Sequence, residues 1–209
     1  MDLEHEYSLL GGINRAKVGR YIGLVAASVS SAAVFILLAL VDLARAFNLP
    51  ANLPPSVLSL VGAGSVFAFL YWIFNRYVWR WSRLSSLLKV PDLRGEWHCE
   101  GRSLKEDRSV AFEWSGTVSI VQTWDKLRVR LRTPQSGSNS ITAALAYDSV
   151  DGYRLLYNYR NEPRADEPEL DVHVGFAELT FAKDLRTADG FYFNGRKRFT
   201  FGTMRLSRA

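Results

Sequence analysis

Hydrophobic and polar positions divide the chain into two textures. From Tyr21 to Val41, 21 residues run without a charge between Arg20 and Asp42, and from Leu53 to Phe74 another 22 do so, opened by Pro54-Pro55 and closed by Asn75-Arg76. An α-helix needs about 20 such residues to cross a bilayer core, so each run predicts a spanning helix. The short connection Asp42–Asn52 makes the pair an antiparallel hairpin. Past Pro91 the helical period disappears and short alternating runs are separated by polar turns, which is strand texture. Strands are expected near Gly95–Ser103, Ala111–Gln122, Lys126–Thr133, Asn139–Asp148, Tyr153–Tyr159, Val172–Phe181, Gly190–Gly195 and Phe199–Leu206. The clearest is Lys126–Thr133, whose period of two sets Leu127, Val129, Leu131 and Thr133 on one face and four bases on the other.

The layout that follows is an N-terminal segment at 1–20, spanning helices at 21–41 and 53–75 joined by a loop at 42–52, a basic and aromatic juxtamembrane linker at 76–90, and a β domain at 91–209. Arg15, Lys17 and Arg20 precede the first helix and Arg76, Arg80, Arg83 and Lys89 follow the second, against Arg45 alone in the loop. The excess of bases on the cytoplasmic side of membrane proteins then places both termini and the β domain in the cytoplasm. Tyr71, Trp72, Tyr77, Trp79 and Trp81 form an interfacial belt at the exit of the second helix. Gly19, Gly23, Ala27 and Ser31 recur every fourth residue, as Gly64 and Ala68 do in the second helix. That spacing favours close helix packing, within one hairpin or between protomers.

Eight short strands fit an antiparallel up-and-down β-barrel, which removes sheet edges and has room for side chains or one small ligand. A β-sandwich fits the same strand count. Gly95-Glu96-Trp97 at the start and Arg205 on the last strand resemble the closure of lipocalin-type barrels, with an Arg laid over a Trp.

Charge sharpens the picture. The net +5 of the 209 residues resides mainly in residues 1–89, where eight Lys and Arg face four Asp and Glu; residues 90–209 carry eighteen against seventeen. A basic excess beside apolar runs suits a membrane and argues against a DNA- or RNA-polymer partner. Cys99 is the one cysteine, which excludes an intrachain disulfide and a thiolate metal cage and fits a reducing cytosol. His5, His98 and His173 stand in unrelated contexts, outside any hydrolase or metalloprotease motif, and no glycine-rich phosphate loop precedes a helix. The chain reads as a binding module rather than an enzyme, with no catalytic or metal-ligating set. What stands out is a polar and aromatic series: Thr133, Ser136, Ser138 and Ser140, then Tyr157 to Pro163, His173, and Tyr192 with the basic run Arg196-Lys197-Arg198.

The hairpin, the basic linker and the ordered motifs behind them form a recognisable whole. Gly95-Glu96-Trp97 is followed by Gly116 with Ile120 and Gln122, by Thr133 with its serines, by Tyr157–Pro163, by His173 with Gly175, and by Gly190 with Tyr192. From Arg15 to Arg208 this resembles the two-transmembrane β-barrel effectors of bacterial cyclic-oligonucleotide anti-phage signalling (CBASS). The resemblance implies an inner-membrane receptor, without a cofactor, for a cyclic dinucleotide made by a cognate nucleotidyltransferase. It further implies ligand-driven homo-oligomerisation, membrane disruption and abortive infection. Such a ligand carries two phosphates and two bases. Arg160, Asn161, Arg196 and Arg198 are candidates for the phosphates, Tyr157, Tyr159 and Tyr192 for the base faces, and Gln122, Thr133, Ser138 and Ser140 for the base edges, with His173 beside them. A barrel carrying a small apolar ligand or lipid, and a solid barrel that only docks partners, are the rival readings. The first predicts a dry, apolar interior and the second no cavity.

Overall fold

The computed structural model describes residues 4–52, 54–164, 166, 171–195 and 199–208. The chain forms two compact units, one of residues 13–79 and one in which the N-terminal strand joins the residues from 80 on.

In the helical unit, α1 spans Arg15–Ala46 and begins at Asn14, whose side chain accepts the Ala16 amide at 2.7 Å. Its 32 residues extend about 48 Å, more than the ~30 Å hydrocarbon core. The second apolar run is not one helix. It forms α2, Pro55–Leu60, and α3, Ala63–Arg76, and α3 packs along α1. At the interruption, the Ser30 hydroxyl of α1 donates to the Val61 carbonyl. A backbone acceptor freed by a helix break is thus satisfied from the neighbouring helix, as an apolar solvent requires. Gly19, Gly23 and Gly64 have open space where a Cβ would stand, so their small size is not what lets α1 and α3 meet.

A 3-10 turn, Val78–Arg80, carries the chain from the helical unit into the other, where α4, Ser82–Leu88, leads into the sheet. Its strands are β1 (His5–Leu10), β2 (Gly95–Leu104), β3 (Val110–Gln122), β4 (Lys126–Arg132), β5 (Ser136–Asp148), β6 (Gly152–Pro163), β7 (His173–Phe181), β8 (Thr187–Asn194) and β9 (Phe201–Arg208). The eight strands β2 to β9 pair with their sequence neighbours, and β9 pairs back with β2, so the sheet closes into a ring. The ring differs from an eight-strand meander in one respect: β1, from the N-terminal segment, is wedged between β4 and β5, antiparallel to the first and parallel to the second. All other pairings are antiparallel.

Alternation sorts each strand between an inner and an outer face. In β4, Leu127 and Val129 are buried while Arg128 turns outward to Asn139 Oδ1 at 2.7 Å. Trp97, Val118, Ile120, Leu145, Leu155, Leu179 and Leu206 complete the core. One end of the ring is plugged. The Trp97 indole donates to the Leu93 carbonyl at 3.1 Å, Phe181 meets its ring edge-on at 5.5 Å, and the Arg208 guanidinium lies 4.9 Å from its centroid. Arg208 also donates to the Asp92 carbonyl at 2.8 Å. Arg208 therefore takes the place expected for Arg205, which is three positions away on the opposite face and pairs with Asp189 at 3.7 Å. Beside the plug, Asp92 and Arg94 form a two-pronged pair at 2.7 and 2.8 Å.

Candidate ligand-binding site

At the opposite end, where the β4–β5 and β8–β9 connections lie, the inner face encloses a cavity of about 390 Å³. Its size is within the 300–1,000 Å³ usual for small-molecule sites. Every strand from β2 to β9 contributes, each through inward positions of its period-two pattern: Ser103, Trp114, Leu131, Ser136, Ser138, Tyr157, Tyr159, Asn161, His173, Tyr192, Asn194 and Met204, with Thr133 and Thr200 at the rim connections.

Three rings lie flat along the wall because the residue directly across the strand pair is glycine. Trp114 faces Gly101, Tyr159 faces Gly175 and Tyr192 faces Gly202. A Cβ on Gly101 would sit 2.1 Å from the Trp114 indole, and one on Gly175 would sit 2.4 Å from the Tyr159 ring. A Cβ on Gly202 would approach the Tyr192 ring to 2.9 Å. The glycines thus take the rings into the wall and leave the middle of the cavity open.

Hydrogen bonds fix these rings. The Tyr192 hydroxyl is 2.5 Å from Ser103 Oγ and accepts from the Trp114 indole at 3.2 Å. Tyr159 donates to Asn194 Oδ1 at 2.8 Å, and Asn194 Nδ2 donates to Thr200 Oγ1 at 2.8 Å. The Thr133 hydroxyl and Ser136 tie the β4–β5 turn into a rigid lip through bonds of 3.1–3.3 Å. His173 Nδ1 is 2.9 Å from the Asp171 carbonyl. Ser138 and Asn161 are opposed across β5 and β6, both buried, and neither side chain hydrogen-bonds a described residue. Burial pushes the Tyr157 phenol well above its ordinary value, with Tyr159 and Cys99 adding to the shift. Tyr157 is therefore a neutral hydroxyl at any physiological pH.

Of the residues singled out in the sequence, Thr133, Ser138, Tyr157, Tyr159, Asn161, His173 and Tyr192 converge on this cavity. Three do not. Gln122 is at the plugged end, where its Oε1 accepts the Leu93 amide at 2.9 Å and its Nε2 donates to the Pro91 carbonyl at 3.2 Å. It closes the ring and is not available to a ligand. Ser140 shares the inner face but is committed to the Val129 amide at 2.9 Å and to His5 Nε2 at 2.7 Å. Arg160 is exposed on the outer wall, because it falls between the inward Tyr159 and Asn161. Arg196 and Arg198 lie outside the described residues. Trp114, Ser103 and Asn194 escaped the sequence reading. The readable signal was their parity with Val118, Cys99 and Tyr192, which fixes them on the inner face.

Comparison with known proteins agrees with this architecture. Residues 88–208 match the family model described as Cap15, cyclic dinucleotide receptor domain, and residues 16–80 match the one described as Cap15, TM helices. A CD-NTase-associated protein 15 from Yersinia aleksiciae is 45% identical over 204 residues, covering 98% of this chain and 97% of that one. A second protein of that name, from Staphylococcus schleiferi, is 26% identical over 136 residues, 65% of this chain and 70% of that one. With its helical unit and its sheet both matched, the chain belongs to the Cap15 family, the CBASS membrane effectors that join transmembrane helices to a cyclic dinucleotide receptor domain.

Proposed function

We propose that the ring works as an up-and-down barrel whose cavity binds a cyclic dinucleotide, and that binding drives the chains to assemble and breach the bacterial inner membrane. The observation that carries this reading is the wall itself. Three rings are held flat by glycines beside a buried serine and a buried amide that have no described partner. Rings of this kind suit base stacking, and unpaired hydroxyl and amide groups suit base edges and phosphate oxygens. No Lys or Arg stands among the described lining residues, and the one acid there, Glu113, is paired with Arg102 at 2.9 Å, so neutral donors and His173 make the polar contacts to a ligand. A carrier of apolar ligands would not set Ser103, Ser136, Ser138, Asn161 and Asn194 around its cavity, and a solid docking barrel would have none.

The Lys and Arg distribution supports a topology with both termini and the barrel in the cytoplasm, where a nucleotidyltransferase releases its product. Ligand assembles the protein only through a higher affinity for the assembled form. The test is dye release from phosphatidylethanolamine and phosphatidylglycerol vesicles carrying the full chain, challenged with cyclic di-AMP, cyclic di-GMP and cyclic di-UMP. One of them is expected to trigger release in the wild type, with the half-maximal concentration raised about 5- to 10-fold in Asn161→Ala, the effect of one lost hydrogen bond. Release that ignores all three, or an Asn161→Ala response equal to the wild type, would contradict the assignment.

A further inference from the structure

β4 and β5 pair directly at Arg130↔Asn139, Leu131↔Ser138 and Arg132↔Gly137, and then part. β1 fills the opening. His5 and Glu6 oppose Leu127 and Lys126 of β4, while Tyr7 to Leu10 run alongside Ala143 to Ala146 of β5. Ser140 stands at the fork. Its hydroxyl takes the Val129 amide, which faces β5 just where the direct ladder ends, and binds His5 Nε2 on its other side. Immediately beyond it β5 carries a bulge, between Ser140 and Thr142. The edges of β4 and β5 that β1 occupies are therefore the ones that a longer β4–β5 ladder would use.

The short ladder is also cavity wall. Leu131 and Ser138 lie within it and Thr133 and Ser136 form its turn, and all four line the cavity. β1 buries little of itself: of its six residues Tyr7 alone is buried, its hydroxyl donating to the Thr123 carbonyl at 3.2 Å, and Glu6, Ser8 and Leu10 are exposed. Four residues separate β1 from Arg15, where the first membrane helix begins.

We infer that β1 is a displaceable strap. Ligand held by Ser138 and the Thr133 lip favours a longer β4–β5 ladder, the ladder takes over the edges that β1 uses, and β1 is released from the ring. The inference rests on the cavity being the cyclic dinucleotide site, and it names how occupancy leaves that site. A ligand shifts such an equilibrium only through unequal affinity for the two arrangements, and its contacts to Ser138 and the Thr133 lip, which change with the ladder while those to the rest of the wall do not, supply that inequality.

The test uses the full chain and a strap locked by a disulfide. Glu6 and Lys126 are directly opposed, antiparallel and exposed, a geometry that accepts a disulfide, and the native Cys99 is buried and does not compete. Whichever of cyclic di-AMP, cyclic di-GMP and cyclic di-UMP binds the wild type is expected to speed amide exchange across residues 5–10 by about tenfold or more. The oxidised Glu6→Cys/Lys126→Cys variant is expected to bind it within about threefold of wild type yet release no dye from vesicles, with release restored by reduction. Unchanged exchange in β1 on binding, or full release by the oxidised variant, would overturn the strap while leaving the binding site intact. Failure of the wild type to bind any of the three would overturn the site reading and the strap with it.

Discussion

Gly175 shows how much of the site is set by single residues. Its missing Cβ is the space that the Tyr159 ring occupies, with the Phe193 carbonyl close behind. Gly175→Ala is expected to push the ring into the cavity and to lower both the melting temperature and ligand affinity. Adding Tyr159→Ala should recover part of the stability, a coupling of about 1 kcal/mol or more in a double-mutant cycle. Strict additivity would refute the contact. Cys99, packed on the inner face, has its thiol pushed up to about 12 by burial, with Glu100 adding to the shift. Alkylation by iodoacetamide at neutral pH should therefore wait for unfolding, and fast labelling of the native chain would contradict this packing.

The pair at the plug makes a pH prediction. Burial alone would raise the Asp92 carboxyl, but the hydrogen bonds and charge of Arg94 outweigh it and hold the group below its ordinary 3.8. The unfolded chain then binds the proton more readily. The pair's contribution is present above the unfolded pKa and disappears as pH falls through the folded one. Wild-type melting temperature should drop more steeply than that of Asp92→Asn between about pH 5 and pH 3, and parallel curves would remove the pair from the account.

At this scale parity decided what was legible. Tyr157, Tyr159 and Asn161 share the inward phase, whereas Arg160, attractive as a phosphate ligand by chemistry, is in the outward phase of the same strand. Gln122 and Ser140 are in the right phase but serve backbone groups that only the assembled ring brings to them.

Elements were legible where a pattern was long. The apolar run at the first helix and the alternation of β4 need no tertiary information. The break between α2 and α3 was hidden because an apolar run carries no mark of the site where a neighbour's hydroxyl will accept the interruption. β5 begins at Ser136 rather than Asn139, because Ser136, Gly137 and Ser138, turn-like by composition, pair across to Pro163, Glu162 and Asn161. β1 is six residues with one buried side chain, too little pattern to be read as a strand. Its exit is nonetheless fixed: Gly11 has φ of +76°, and a Cβ there would stand 2.3 Å from the Tyr147 carbonyl. Gly11→Ala should loosen β1 and raise protease sensitivity near residue 10, whereas unchanged digestion would deny this turn a role. Trp97 is the element-scale anchor of the closed end. Trp97→Ala should cost about 3–5 kcal/mol in denaturant unfolding, and a loss below about 1 kcal/mol would show the plug to be dispensable.

For the whole molecule, a helical unit suited to lipid and a ring with a polar, aromatic cavity are joined in one chain, and both are matched within the Cap15 family. The central claim is that this cavity is where the cyclic dinucleotide binds. Thermal unfolding of the detergent-purified full chain against cyclic di-AMP, cyclic di-GMP and cyclic di-UMP tests it most directly, because a ligand bound only by the folded state stabilises it by about 2.7 kcal/mol at a hundred times Kd. One of the three should raise the midpoint in proportion to the logarithm of its concentration, and Tyr159→Ala should need about 5- to 150-fold more of it, the stacking of one base. A midpoint that no cyclic dinucleotide moves, or a shift that Tyr159→Ala leaves intact, would contradict the account.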